Sequence, residues 1–247
     1  MERKVRVDNC IYQEEKLNNY SIEEYFNQLE GNSLLNDEER KISNEILQKL
    51  TQTCKICSVS KVLTPTDFRV GNGELVLGEE KIHANLFEQD SFHDIKSILA
   101  FIVTVIEDDN RDIGAVTSNK QRLDLLDQYY ETAWKYAALQ GFRDHIIEEY
   151  KRKEIQSGKR VFTPILGPGY FGIDLLDSDK LYKLLNGRKL GVTLNDTMQF
   201  IPENTICGFM IGMQSISEDC KKIFDNPCQY CLSVKKACGY CSLINNK

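Results

Sequence analysis

The dipeptide Asn72-Gly73, in the run Asp67-Phe-Arg-Val-Gly-Asn-Gly-Glu-Leu-Val-Leu, constrains this chain most. Both residues accept positive φ, which a two-residue hairpin turn requires, and apolar alternation flanks them on each side. A hairpin at this point forces antiparallel pairing. More strand material lies around it: Cys57-Ser-Val-Ser-Lys-Val-Leu before, Lys81-Ile-His-Ala-Asn-Leu-Phe after. The run Ile98 to Ile106 is apolar on both alternating sets and reads as a buried central strand. Strand-like Lys4 to Asp8 opens the chain, a polar stretch follows it, and two further strands are expected at 189–194 and 206–213. These short spacings give no regular βαβ alternation. The expected fold is α+β: a single domain with a largely antiparallel sheet flanked by helices.

Helices are expected at two long stretches. From Asp37 to Cys57 the apolar stripe Ile42, Ile46, Leu47, Leu50, Cys54, Cys57 has helical spacing, which makes Cys54 and Cys57 core thiols. From Gln121 onward, Leu123, Leu126, Tyr130, Ala133, Trp134, Ala137 and Ala138 form a second apolar face; the charged stretch to Arg160 extends it, and Gly158 breaks it. Both helices should pack on one face of the sheet. Shorter helices are expected at Phe92 to Lys96 and at Asp177 to Asn186, the latter with Asp177 or Ser178 as N-cap.

The 247 residues carry a net charge of −6, which argues against nucleic acid as a partner, since that needs a basic face. The N-terminus has no apolar h-region, and the longest apolar run is too short to span a bilayer. Nine cysteines without an export signal point to a reducing cytoplasm.

Four of those cysteines, Cys228, Cys231, Cys238 and Cys241, form two C-x2-C pairs six residues apart. Four thiolates complete a tetrahedral zinc shell or ligate an iron–sulfur cluster. The spacing fits neither the bacterial ferredoxin run nor the zinc-ribbon gap, so cluster, zinc and unligated thiols all stay open. The chain divides on this reading into a domain over 1–220 and a Cys-rich metal-binding tail over 221–247. The three histidines, His83, His93 and His145, are scattered without ligand spacing and read as structural or solvent-facing.

The segment Pro164-Ile-Leu-Gly-Pro-Gly-Tyr-Phe-Gly-Ile-Asp places a turn before a helix, followed by Gly191-Val-Thr-Leu-Asn-Asp-Thr-Met-Gln-Phe-Ile-Pro and the strand Ile206-Cys-Gly-Phe-Met-Ile-Gly. This order resembles the activation domain of cobalamin-dependent methionine synthase, and in particular stand-alone proteins of that family. The likeness in pattern covers nearly the whole chain; its specific motifs cover residues 164–213 and the tail. The resemblance implies S-adenosylmethionine binding and reductive reactivation of an oxidised corrinoid, with methylation pulling an uphill electron transfer forward. Its implied partners are a corrinoid protein or cobalamin-dependent methyltransferase, with flavodoxin or ferredoxin as electron donor. The implied ligand-binding positions are Gly167, Gly169, Tyr170 and Asp196, the last standing where the family has glutamate. Counting back from Gly169-Tyr170 puts Ile165 where the family has an arginine that helps hold the methyl donor. An aliphatic chain offers none of a guanidinium's five donors. Either another group replaces that arginine, or the site is lost and the chain is a non-catalytic metal- or iron–sulfur-binding interaction module. A redox sensor using the tail thiols is a third reading.

Overall fold

The computed structural model of the chain describes residues 3–23, 35–107 and 125–225. Strand β7 (Ile95–Glu107) is the axis of the molecule. It lies between β3 (Cys54–Leu63) and β11 (Thr205–Met213) in a six-stranded sheet of order β1-β2-β3-β7-β11-β8. Every pairing in that sheet is antiparallel. Strands β1 (Arg3–Val7) and β2 (Cys10–Glu15) form one edge, and the two-residue β8 (Val161–Phe162) forms the other.

Both faces of β7 are covered, which explains its unbroken apolar sequence. Leu99, Phe101, Val103 and Val105 face one core, with α1 (Asp37–Thr53) and α2 (Leu125–Ser157) packed over them. Ile98, Ala100 and Ile102 face a second core. That one is closed by a three-stranded sheet, β4 (Phe68–Gly71), β5 (Glu74–Leu77) and β6 (Glu80–His83), with α3 (Ser178–Leu184) and α4 (Glu218–Asp225). The fold is thus α+β with a largely antiparallel sheet, as expected, and both long helices share one face.

Local chemistry sets the element ends. Asn36 caps α1 with a complete capping box: its side chain accepts from the Glu38 and Glu39 amides, and Glu39 reaches back to the Asn36 amide. Helix α2 runs 33 residues, joining both halves of the expected helical stretch, and stops just before Gly158. The indole of Trp134 donates to the carbonyl of Ser43 at 3.0 Å, tying α2 to α1 where both are buried.

Several expectations are corrected. Helix α1 ends at Thr53, and Cys54 and Cys57 lie in β3 on opposite faces, one in each core. They are buried, as expected, but not on a helical stripe. The polar stretch after Asp8 is strand β2, joined to β1 by Asp8-Asn9, both at positive φ. Residues 187–190 form a 3-10 turn, leaving only Thr193–Leu194 extended. Residues 85–88 and 90–94 are 3-10 turns as well. Asp177 precedes α3 with helical dihedrals and no side-chain cap.

Candidate functional site

The outer edge of β11 is only partly paired. Its end, Gly212 and Met213, pairs with β8, and Thr163 donates its amide to the Ile211 carbonyl at 3.0 Å. Leu166 and Phe209 then exchange amide–carbonyl bonds at 2.8 Å in both directions. Beyond that bridge the chain turns away at Gly167. A cavity of about 710 Å3 opens beside Thr205, Ile206 and Cys207, within the usual size range of small-ligand sites.

The turn that opens the cavity is Gly167-Pro168-Gly169-Tyr170. Tyr170 donates its amide to the Gly167 carbonyl at 3.0 Å, and Gly169 has φ of +87°. Proline second and a positive-φ glycine third is the type II arrangement. The Gly169 amide is bonded to the Ile173 carbonyl at 3.0 Å, so both amides at the turn's end are held within the segment. Gly167 has a packing role: a Cβ there would lie 3.2 Å from both the Cys207 carbonyl and the Gly208 Cα.

Opposite the turn stands a small hairpin, β9 (Thr193–Leu194) and β10 (Phe200–Ile201). Asn195 organises its loop by accepting from the Thr197 amide and hydroxyl and from the Gln199 amide, at 2.8–2.9 Å. Met198, Gln199 and Phe200 line the cavity from this loop. The return to β11 includes a cis Ile201-Pro202 peptide. It is anchored by Thr205, whose hydroxyl donates to the Pro202 carbonyl at 2.6 Å and meets the buried Thr104 hydroxyl at 2.7 Å.

The expected ligand positions therefore separate. Gly167 and Tyr170 line the cavity, Tyr170 as an exposed rim residue. Gly169 shapes the turn without lining the cavity, and Asp196 sits exposed at the hairpin tip, outside the lining. Ile165 is in the wall, where it contributes only apolar surface. Sequence reading missed Arg143 and Glu203, the two charged residues of the described lining. Arg143 lies in a charged helical stretch and Glu203 in a turn, so neither has a local signature.

Cys207 also faces the cavity. Burial pushes its thiol up to about 12, although a hydrogen bond with Ser178 works in the other direction. It is a neutral thiol at physiological pH, and so neither a ready nucleophile nor a ready metal ligand. Among the described residues no group of three or more His, Cys, Asp or Glu side chains could hold a metal ion. The tail quartet Cys228, Cys231, Cys238 and Cys241 lies outside the described residues. Among the described residues no helix is long and apolar enough to cross a membrane.

No family model matches the chain, and no curated protein does. A solved structure, that of the MetH reactivation domain bound to AdoHcy, matches with a TM-score of 0.52, covering 83% of this chain and 79% of that one at 12% identity. At so low an identity the likeness is one of architecture: the chain has a fold similar to that of the MetH reactivation domain.

Proposed function

We propose that this chain binds S-adenosylmethionine in the cavity beside β11 and assists the reductive reactivation of a corrinoid protein. The observation that carries the reading is the cavity itself: it opens at the Gly-Pro-Gly-Tyr turn, in a fold whose solved neighbour was captured with AdoHcy. Its apolar walls suit an adenosyl group, and its opposite charges suit the amino-acid end. When bound, the methyl donor supplies an electrophilic methyl group to the reduced cobalt of the partner, after an electron arrives from a flavodoxin or ferredoxin.

The chain's contribution is positioning. The type II turn sets Tyr170 at the rim, where its ring can cover the bound ligand. The hairpin loop held by Asn195 forms the facing wall. Asp196, at the hairpin tip, is placed to meet a docked partner or an end of the ligand that protrudes from the cavity. Gly167 and Gly169 serve by shaping the wall. Exposed Leu175, Leu176 and Ile201 supply apolar surface for the partner to cover.

The tail, taken as a unit over 221–247, is proposed to hold an iron–sulfur cluster or zinc through Cys228, Cys231, Cys238 and Cys241. A second reading is favoured by one observation: Ile165 in the cavity wall removes a cation from the expected carboxylate site. On that reading the chain is an interaction module that kept the fold and lost the ligand. Calorimetry with S-adenosylmethionine and AdoHcy, alone and with a corrinoid protein present, separates the two. Saturable binding supports the proposal. Its absence in every condition, with corrinoid reactivation unaffected by Tyr170→Ala, leaves the interaction module.

A further inference from the structure

The cavity's two charges differ in placement. Glu203 is exposed, whereas the Arg143 side chain is only 21% exposed and rises from the middle of α2. Its neighbours Phe142 and Ile146 are buried in the helix-side core, so the arginine's backbone is fixed. The guanidinium is also oriented: Nε and Nη2 both donate to Asp144 Oδ1, at 2.8 and 2.7 Å. Those bonds use one edge of the fork. The second edge, Nη1–Nη2, has the geometry to take a carboxylate through two parallel bonds. Gln140, one turn earlier on α2, lines the same wall and offers an amide donor beside it.

We infer that Arg143 holds the carboxylate of the bound ligand, supplying from α2 the cation that Ile165 cannot supply from the turn segment. This rests on the reading of the cavity as a site for an adenosylated amino acid. It goes further by naming the recognised group and the residue responsible. The arrangement selects zwitterionic ligands: Arg143 takes the carboxylate, and Glu203 attracts the ammonium across the cavity. A nucleoside thioether without an amino-acid end meets only the apolar walls.

The test compares AdoHcy with 5′-methylthioadenosine, which keeps the nucleoside and sulfur but lacks the amino-acid end. Calorimetry is run on the full chain, as wild type and as Arg143→Gln and Arg143→Lys. The expected result is a wild-type preference for AdoHcy that Arg143→Gln reduces about ten- to hundredfold, the scale of a hydrogen bond to a charged group. Affinity for 5′-methylthioadenosine should stay unchanged, and Arg143→Lys should recover part of the lost AdoHcy affinity. AdoHcy binding that Arg143→Gln leaves intact overturns the role of Arg143 alone. Equal loss of both ligands also overturns it, because the residue would then be shaping the cavity. Failure of the wild type to bind either ligand overturns the reading of the cavity itself.

Discussion

Gly167 and Gly208 meet backbone to backbone at the edge of the sheet, where a Cβ would be tight on Gly167 and has no room on Gly208. A Cβ on Gly208 would lie 2.8 Å from the Leu166 carbonyl, 3.1 Å from Ile165 and 3.3 Å from the Phe101 ring. One on Gly167 would lie 3.2 Å from the Gly208 Cα. This approach lets the Leu166–Phe209 bridge form and then lets the chain leave the sheet, so cavity and bridge depend on the same contact.

Gly208→Ala is expected to destabilise the protein by about 1–3 kcal/mol, because the clash is with backbone that cannot rotate aside. The wall formed by Ile165 and Gly167 should shift, weakening AdoHcy binding as well. Gly71→Ala is the control: nothing lies within 4 Å of its Cβ position, so the change should stay within about 0.5 kcal/mol. Urea unfolding of both variants checks the contrast.

Gly141, inside the unbroken α2, answers to a different neighbour. A Cβ there would run into the ring of Tyr20, whose hydroxyl donates to Glu15 at 2.7 Å. Helix propensity alone favours Gly141→Ala by about 1 kcal/mol, while overpacking opposes it by about 1–3 kcal/mol. The clash is expected to win, lowering stability. In Tyr20→Ala the clash is gone, so the same Gly141→Ala change should become stabilising. A double-mutant cycle measures this reversal of sign; two additive changes would refute it.

Much of the architecture was legible because β7 and the Asn72-Gly73 hairpin carry their structure locally. A strand buried on both faces must be apolar throughout, and a two-residue turn must tolerate positive φ. The junction of α1 and β3 was not legible. Leu50, Cys54 and Cys57 continue a helical stripe while Cys54, Ile56, Cys57 and Val59 also suit a two-faced buried strand, and no glycine or proline separates the alternatives. Tertiary pairing with β7 decides for the strand. Asp8-Asn9 did carry a turn signal like that of Asn72-Gly73, hidden because β2 is polar on its half-buried residues. At the site, the Gly-Pro-Gly-Tyr turn was visible in the sequence. Arg143 and Glu203 were not, since residues sixty positions apart line one cavity only once α2 is packed on the sheet.

Stability should fall in acid partly through Glu149. Burial by itself would raise this carboxyl. Hydrogen bonds from Lys153 at 2.7 Å and Lys4 at 2.9 Å overcome it and lower the pKa from 4.5 to about 2. A depressed folded-state value stabilises the fold above the unfolded value, and that stabilisation is lost as pH falls from about 4.5 towards 2. Lys4 belongs to edge strand β1, so the pair ties that edge to α2. Both lysines are well exposed, which limits the effect to about 1 kcal/mol. Glu149→Gln should flatten this part of the pH–stability curve while leaving stability at pH 2 near wild type. An unchanged acid slope would show that the pairs contribute nothing to folding.

The two kinds of C-x2-C pair in this chain should behave oppositely towards metal. Cys54 and Cys57 are three residues apart in a strand, so their side chains enter different cores and cannot share an ion. Burial also raises the thiols of Cys10, Cys54 and Cys207. A metal needs thiolates, so it would have to reverse that burial. Cys220, on α4, turns fully into the core. Stoichiometric metal in the purified chain is therefore expected to depend on Cys228, Cys231, Cys238 and Cys241. Anaerobically prepared wild type should carry either iron with sulfide and a broad visible band, or one colourless zinc. The double change Cys228→Ser with Cys231→Ser should remove it, and Cys54→Ser with Cys57→Ser should not, whatever those core substitutions do to stability. Metal analysis together with far-UV circular dichroism keeps ligation apart from folding. Retention of full metal by the tail variant would refute the tail site.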